Sequence, residues 1–245
     1  MLFPNDVTDN EKLPDGNTMV LNIIHLFPDL LNLYGDRGNI MVLKKRCVLR
    51  GITPNIIEFR INDEIDLSNA DIIFLGGGSD REQKLVCQKL LSIKDDLIRF
   101  RDDYGVILAV CGGYQLLGHY YSLDSEKIEG LSLCDMYTVQ KDGRLIGNIA
   151  IDTPFETVVG FENHGGRTYL GENVAPLGKV ISGYGNNGED GFEGVLYKNI
   201  FGTYLHGPLL PKNPKFADLL LERALIRKYQ TAELSPLPCE VEKLA

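Results

Sequence analysis

The chain has 245 residues, of which 44% are hydrophobic and 24% are charged. This composition excludes the disordered and fibrous classes, because a chain of this size can bury a sizeable core without disulfides or metals. A net charge of −9 argues against broad electrostatic binding to nucleic acid or anionic lipid. No stretch approaches the roughly 18 consecutive apolar residues of a membrane span, and the polar, acidic start does not fit a signal peptide. We therefore expect a soluble, cytoplasmic protein.

The predicted elements begin after a Pro- and Gly-containing segment, residues 1–18, which we interpret as a flexible extension. Apolar runs predict strands over 20–27, 53–59, 70–75 and 105–110, and apolar residues at helical spacing predict helices over 38–50 and from Ser79 or Asp80 to Ile98. Strands that alternate with helices indicate an α/β domain with a mostly parallel twisted sheet flanked by helices. Active groups are then expected at the carboxyl ends of the strands.

After residue 130 the pattern changes to short predicted strands separated by glycine and Asn-Gly turns. One last helix is predicted around 215–229, and residues 231–245 carry two prolines that indicate an irregular tail. A single domain is thus expected over 19–230. The run Gly183 to Gly188 formally matches G-x-G-x-x-G, but no helical pattern follows it to receive a pyrophosphate, so we reject dinucleotide binding.

Five cysteines are present, an odd number at wide spacing with no C-x-x-C, so neither a disulfide framework nor a metal site is predicted. Cys111 differs from Cys47, Cys87, Cys134 and Cys239 because a buried strand runs directly into it and a glycine-rich helix start follows. Such a strand-to-helix elbow strains the nucleophile's backbone and requires small neighbours, here Ala109 and Gly113. The helix start favours the thiolate and directs the Gly112 N–H at a developing oxyanion.

A cysteine nucleophile needs a base, and four histidines are available. His206 ends the strand-like run 201–205 before Gly207, so it is expected at the sheet edge that also carries Cys111. His25 lies in an apolar run and His119 lies on the helix predicted after the elbow, so core or surface roles are favoured for both. His164 borders a Gly-Gly turn and is interpreted as a group that lines the site.

The glycine run 76–78 follows a buried strand and can supply further oxyanion donors, from Gly77 and Gly78, if that strand neighbours the Cys111 strand. A plain loop or a phosphate cradle are the alternatives. The run lacks G-x-x-x-x-G-K-[ST], which argues against a nucleotide P-loop.

Taken together, C-G-G-Y-Q at 111–115 resembles the C-x-G-x-Q elbow of class I glutamine amidotransferases, and GFENHGGRT at 160–168 is similar to a stretch of the cobyric acid synthase type. The segments 31–39, 76–83 and 203–214 further resemble glutaminase subunits of lipid II isoglutaminyl synthases. The resemblance implies a flavodoxin-like fold. It also implies a glutaminase that uses L-glutamine and forms a heterodimer with a MurT-like, Mur-ligase-like subunit.

The resemblance assigns roles to individual residues. It implies that Cys111 is the nucleophile, that His206 is the general base and later the acid, and that Gln115 and Arg144 hold glutamine. A guanidinium at Arg144 suits the α-carboxylate. The broader class often has H-x-E, whereas this chain has His-Gly-Pro at 206–208. The third catalytic member is therefore absent, comes from elsewhere such as Asp36, or belongs to a partner chain.

The expected reaction uses no cofactor in this chain, and no ATP-binding signature is present. ATP and Mg²⁺ are expected on the partner subunit, which also binds the lipid II acceptor. Three alternatives remain: a glutaminase that serves a different, cobyrinate-like acceptor, a catalytically silent binding subunit, and a cysteine hydrolase of peptides.

Overall fold

The computed structural model describes residues 18–32, 35–123, 126–230 and 234–237. The predicted extension over 1–18 lies outside these residues except for Thr18. Of the predicted tail over 231–245 only 234–237 are described, and this piece is packed: Leu234 contacts the core and the Ser235 carbonyl accepts a hydrogen bond from Arg50 Nε at 2.8 Å. Within the described ranges, no helix is both long and apolar enough to cross a membrane.

Twelve strands, five α-helices and one short 3-10 helix at 210–212 are found in the described part of the chain. In chain order the strands and α-helices are β1 (Val20–Leu26), α1 (Arg37–Val48), β2 (Thr53–Phe59), β3 (Ile72–Leu75), α2 (Asp80–Leu91), α3 (Lys94–Asp102), β4 (Val106–Val110), α4 (Gly112–Leu116), β5 (Tyr120–Leu123), β6 (Glu126–Glu129), β7 (Met136–Asp152), β8 (Thr157–Leu170), β9 (Gly178–Ser182), β10 (Phe192–Glu193), β11 (Val195–Tyr197), β12 (Ile200–Thr203) and α5 (Pro214–Tyr229).

The first sheet has the strand order β11-β12-β4-β3-β1-β2, and every neighbouring pair is parallel except β11 with β12. The five parallel strands follow the 2-1-3-4-5 order of flavodoxin-like folds. β3, β4 and β12 are buried along their whole length, which explains their continuous apolar sequences. β2 is an edge strand and accordingly alternates in exposure. The predicted α/β class with a mostly parallel sheet is confirmed.

The second sheet is mainly antiparallel and has the order β10-β9-β7-β5-β6, with β8 paired to β7. Its centre is a long hairpin of β7 and β8, so the prediction of short separate strands after residue 130 is wrong in this stretch. Two of the glycines that indicate turns lie inside β8, at positions where close contacts leave no room for a side chain. A Cβ at Gly160 would lie 2.8 Å from Leu205 Cβ, and one at Gly166 would lie 2.4 Å from Gln115 Nε2.

The prediction of a single helix from residue 79 to 98 is also wrong, because the structure has two helices there, α2 and α3. Ser79 is the N-cap and forms a capping box with Glu82, as its position in the sequence suggests. The break comes at Ser92, whose hydroxyl donates to the Lys89 carbonyl at 2.7 Å and so competes with helix continuation. The last helix, α5, lies where the sequence predicts it.

Candidate active site

The strand-to-helix elbow is present at Cys111, between β4 and α4. Cys111 has φ 52° and ψ −109°, a strained conformation for a residue with a side chain. Two backbone hydrogen bonds hold it there, from the Cys111 N–H to the Thr203 carbonyl at 2.8 Å and from the Gln115 N–H to the Cys111 carbonyl at 3.1 Å. The fold thus imposes at this one cysteine the backbone geometry that a nucleophile elbow requires.

Small residues around the elbow are required by contact distances. A Cβ at Gly113 would lie 2.6 Å from the Leu75 carbonyl oxygen, and one at Gly112 would lie 2.5 Å from Gln83 Nε2. The Gly113 N–H donates to the Gly76 carbonyl at 3.1 Å, which joins the helix start to the end of β3. Ala109 is fully buried between β3 and β12.

The glycine run 76–78 lies beside Cys111, because β3 and β4 are parallel neighbours. A Cβ at Gly77 would be 3.1 Å from Cys111 Cβ. The Gly77 N–H, however, donates to Asp36 Oδ2 at 2.9 Å. Gly77 can therefore serve an oxyanion only when that bond opens.

Asp36 is fully buried, and burial raises the pKa of its carboxyl to about 6, against the opposing effect of the Gly77 hydrogen bond. Its contact with Gly77 favours a role in shaping the 76–78 loop over the alternative role of orienting His206.

His206 reaches the same edge of the first sheet through β12, which pairs in parallel with β4. It exchanges two backbone hydrogen bonds with Phe161 of β8, at 2.9 and 3.2 Å. Burial lowers the pKa of the His206 imidazole to about 4, and the charges of His164, Lys212 and Arg144 act in the same direction, whereas a contact with the Asn163 backbone raises it. His206 is thus neutral at pH 7, the form in which an imidazole can accept a proton.

Five of the predicted site residues line one cleft of about 340 Å³. They are Gly78, Cys111, Gln115, Arg144 and His164. Gly77, Gly112 and His206 are not among the lining residues. The two sheets supply opposite walls, since Cys111 and Gln115 follow β4 whereas Arg144 and His164 lie on β7 and β8.

Gln115 and His164 are held by the same aromatic side chain, Tyr204. Gln115 Nε2 donates to Tyr204 Oη at 3.2 Å, and the His164 ring stacks on the Tyr204 ring with centroids 3.6 Å apart and planes 4° apart. His164 Nδ1 donates to the Gly166 carbonyl at 2.7 Å, and Nε2 lies 3.6 Å from Glu162 Oε2. These contacts fix both polar groups at the cleft before any ligand binds.

Sequence reasoning missed Asn163, which holds one edge of the Arg144 guanidinium through two hydrogen bonds. Arg144 Nε donates to Asn163 Oδ1 and Arg144 Nη2 donates to the Asn163 carbonyl, both at 2.7 Å. The sequence signal that could have identified Asn163 is its position beside His164, within the 160–168 stretch that is similar to the cobyric acid synthase type. Arg167 was also missed: its buried guanidinium donates to the Gly165 and Gly143 carbonyls at 2.9 and 3.2 Å.

The run 183–188 forms a turn, and the next element in the described part of the chain is β10 rather than a helix. Its backbone instead supports β8, because the N–H groups of Tyr184 and Gly185 donate to the Glu162 carboxylate at 2.7 and 3.0 Å.

The other histidines and cysteines have the ordinary surroundings that the sequence suggests. His25 is fully buried beside Phe74, whereas His119 is on the surface between Ser132 and Asp135.

Cys47, Cys87 and Cys134 are buried and outside any disulfide. Burial raises the pKa of the Cys87 thiol to about 11 and of the Cys134 thiol to about 12, so neither is a reactive thiolate at neutral pH. Cys239 lies outside the described residues.

Comparison with known proteins gives two close groups of relatives. The chain is 50% identical over 210 residues to the Staphylococcus aureus (strain N315) lipid II isoglutaminyl synthase (glutamine-hydrolyzing) subunit GatD, covering 85% of this chain and 86% of the relative. It is 44% identical to the same subunit of Streptococcus pneumoniae (strain ATCC BAA-255 / R6), covering 88% and 85%. Cobyric acid synthase of Listeria innocua is 31% identical over 79% of this chain, which corresponds to 38% of that protein.

Solved structures agree on the fold. A glutamine amidotransferase crystal structure matches with a TM-score of 0.59 at 14% identity, covering 82% of this chain and 98% of that chain. The glutaminase domain of Trypanosoma brucei CTPS, with bound acivicin, matches with a TM-score of 0.55 at 11% identity, covering 91% and 98%. Residues 22–214, which contain the elbow, the 76–78 loop and His206, match the CobB/CobQ-like glutamine amidotransferase domain, and the chain belongs to this family.

Proposed function

We infer that this chain is a glutaminase subunit that hydrolyses L-glutamine to glutamate and ammonia, and that it supplies the ammonia to a MurT-like ATP-dependent partner. The partner would amidate the D-glutamate of lipid II to D-isoglutamine. The observation that carries the chemistry is the strained elbow that places Cys111 in the cleft with Gln115 and Arg144. Identities of 50% and 44% to two GatD subunits, over most of both chains, support lipid II as the acceptor.

In the first half of the reaction, neutral His206 takes the proton of the Cys111 thiol, and the thiolate adds to the amide carbon of glutamine. The carbonyl π electrons move to the oxygen, which becomes an oxyanion. The Gly112 N–H and the 76–78 loop are the donors for this oxygen, and Gly77 can join them only when its N–H leaves Asp36. Arg144 binds the α-carboxylate and Gln115 contacts the substrate from the elbow side.

In the second half, the oxyanion collapses and the C–N bond breaks. The His206 imidazolium gives its proton to the departing nitrogen, so ammonia leaves and a γ-glutamyl thioester remains on Cys111. His206 then takes a proton from water, which adds to the thioester carbon. The C–S bond breaks, glutamate is released, and the thiolate and imidazolium together restore the starting proton count.

The partner subunit completes the function. Free ammonia is mostly protonated in neutral water and is then not nucleophilic, so direct transfer to a second active site is the productive route. ATP and Mg²⁺ would be bound by the partner, and this chain needs neither for the hydrolysis of glutamine.

The third catalytic residue, which is absent from His-Gly-Pro at 206–208, would come from that partner if the reaction uses one.

The test uses the full chain co-expressed with its synthetase subunit and supplied with L-glutamine labelled with ¹⁵N in the amide. We expect ammonia release without lipid II, and label in the lipid II amide when lipid II and ATP are added. Cys111→Ala should abolish both, and His206→Ala should reduce both by orders of magnitude. His119→Ala is the matched control, because His119 is on the surface away from the cleft.

Each alternative predicts a different result. Ammonia release without label in lipid II would favour another acceptor, such as a cobyrinate-like acid. No ammonia release by the wild-type complex would favour a silent binding subunit. Hydrolysis of peptide amides, but not of glutamine, would favour a cysteine peptidase.

A further inference from the structure

Arg144 lies on an irregular part of the β7–β8 hairpin. The pairing passes from Gln140 opposite Gly166 to Leu145 opposite His164, so four residues of β7 bulge out opposite Gly165 alone. Gly143, within this bulge, has φ 76°. An exposed arginine on such a bulge has many accessible rotamers, and ordering it on ligand binding would cost conformational entropy.

Asn163 removes this freedom. Its side-chain and backbone oxygens accept from Arg144 Nε and Nη2, each at 2.7 Å, so a single residue holds one edge of the planar guanidinium. The three remaining N–H groups, two on Nη1 and one on Nη2, form the second edge, which has the geometry for bidentate binding of a carboxylate.

The electrostatics of the cleft favour an anionic group on that edge. Among the described residues that line the cleft, Arg144 carries the only permanent charge and no carboxylate is present. Asn163 itself orients the guanidinium with neutral oxygens, so the full positive charge is kept for the ligand. An aspartate at this position would orient the arginine equally well but would neutralise it.

We propose that Asn163 is a positioning residue that aims the Arg144 guanidinium at the α-carboxylate of the substrate, and so sets the preference for glutamine over amides that lack this carboxylate. The inference rests on the proposed function, because it takes glutamine as the ligand of the cleft. Asn163 makes no contact with the reacting amide in this assignment and acts through Arg144.

The experiment measures ammonia release by the full chain in complex with its synthetase subunit, with L-glutamine and with 4-aminobutanamide, which is glutamine without its α-carboxylate. For Asn163→Ala we expect kcat/KM for glutamine to fall by about tenfold, mostly through KM, because a charge-assisted hydrogen bond is lost. The same variant should leave kcat/KM for 4-aminobutanamide unchanged. Arg144→Ala should lower kcat/KM for glutamine by about a hundredfold and also spare the analogue.

A double-mutant cycle separates positioning from a general structural role. If Asn163 acts through Arg144, the Asn163→Ala, Arg144→Ala double variant should be no worse than Arg144→Ala alone. Asn148→Ala is the control, because Asn148 lies on the same hairpin but does not line the cleft. It should behave as wild type with both substrates.

Three results would overturn the inference while leaving the glutaminase assignment intact. They are an unchanged KM for glutamine in Asn163→Ala, equal losses with both substrates, and additive losses in the double variant. A wild-type complex that releases no ammonia from glutamine would instead overturn the proposed function itself.

Discussion

The two walls of the cleft offer a ligand different kinds of groups. The wall from the parallel sheet presents mainly strand ends and loop backbone, namely the elbow at Cys111 and the end of the glycine run at Gly78, together with the side chain of Gln115. The wall from the β7–β8 hairpin presents side chains, namely Arg144, Asn163 and His164. In the proposed function, the first wall would receive the reacting amide, where a developing oxyanion needs N–H donors. The second is suited to the remote carboxylate, which needs a charge.

This difference determines how each wall is kept in place. The backbone wall depends on close approach, since a single added methyl group at Gly113 would collide with the end of β3. The side-chain wall depends on hydrogen bonds, such as those that Arg144 donates to Asn163 and that His164 donates to the Gly166 carbonyl. We therefore expect substitutions in the first wall to act on stability and turnover, and those in the second to act on substrate affinity.

The largest effect is expected at Glu193, which joins the two sheets. Its buried carboxylate accepts from Thr203 Oγ1 at 2.5 Å and from the Tyr204 N–H at 2.7 Å, shortly before His206. Glu193→Ala would leave these buried donors unsatisfied, and we expect the free energy of unfolding to fall by about 3 kcal/mol or more in urea denaturation. Glu189→Ala, on an exposed ion pair with Lys141, should leave the midpoint unchanged.

Glu193 should also make the stability of the protein depend on pH. Burial raises the pKa of the Glu193 carboxyl to about 7 from an ordinary value of 4.5. Because the folded state holds the proton more tightly, this group favours folding most below pH 4.5, and its contribution is lost as the pH rises through 7. Glu193→Gln should therefore be less sensitive than wild type to a change from pH 5 to pH 8. An unchanged pH dependence would contradict the assignment.

A smaller loss of stability is expected at the elbow. Alanine substitutions at Gly113 of the elbow and at Gly147 of β7 allow the two regions to be compared directly. A Cβ at Gly113 would lie 2.6 Å from one backbone oxygen and 2.8 Å from another, whereas a Cβ at Gly147 of β7 would meet nothing within 4 Å. Gly113→Ala should cost about 2 kcal/mol of unfolding free energy and most of the ammonia release. Gly147→Ala should stay within about 0.5 kcal/mol of wild type. Equal losses in urea denaturation would remove the distinction.

The contrast between the walls also explains what could be predicted from the sequence. The parallel sheet, the elbow and the arrival of His206 at the same edge follow from local patterns, because a buried strand that ends in glycines or in a nucleophile has few alternatives. The long β7–β8 pairing does not, because Gly160 and Gly166 are of the residue type that indicates turns, whereas contacts with Leu205 and Gln115, which are distant in the sequence, leave no room for a Cβ at either position.

Asn163 on the second wall and Glu193 of β10 were missed for a related reason. The contact of Asn163 with Arg144 spans 19 residues and depends on the strand register and on the bulge opposite Gly165. Glu193 lies in an acidic, glycine-containing run that indicates only a surface turn, yet its carboxylate is buried against residues of the first sheet. Neither partner can be identified from local periodicity.

An effect on turnover without loss of the fold is expected at Asp36, which supports the backbone wall with a side chain. Asp36→Ala removes the acceptor that holds the Gly77 N–H, so the 76–78 loop loses the contact that shapes it beside Cys111, and we expect kcat for glutamine to fall by about tenfold while KM changes little. Asp36→Asn keeps an oxygen in place and should recover most of the activity. Saturation kinetics with glutamine provide the measurement. Equal kcat values for the alanine and asparagine variants would contradict a role through this hydrogen bond.

The smallest effect is expected when the pH is lowered, because burial keeps the pKa of His206 at about 4. A histidine with an ordinary pKa of about 6.5 would be mostly protonated at pH 5, and kcat/KM would fall about thirtyfold from its value at pH 7.5. For this protein we expect less than about a twofold decrease over that range. The measurement is initial-rate ammonia release in the Asp36→Asn variant, in which the nearby carboxyl no longer titrates. A thirtyfold loss would mean that the base is more solvated than His206 is between β8 and β12, and that the two walls do not enclose it as the structure indicates.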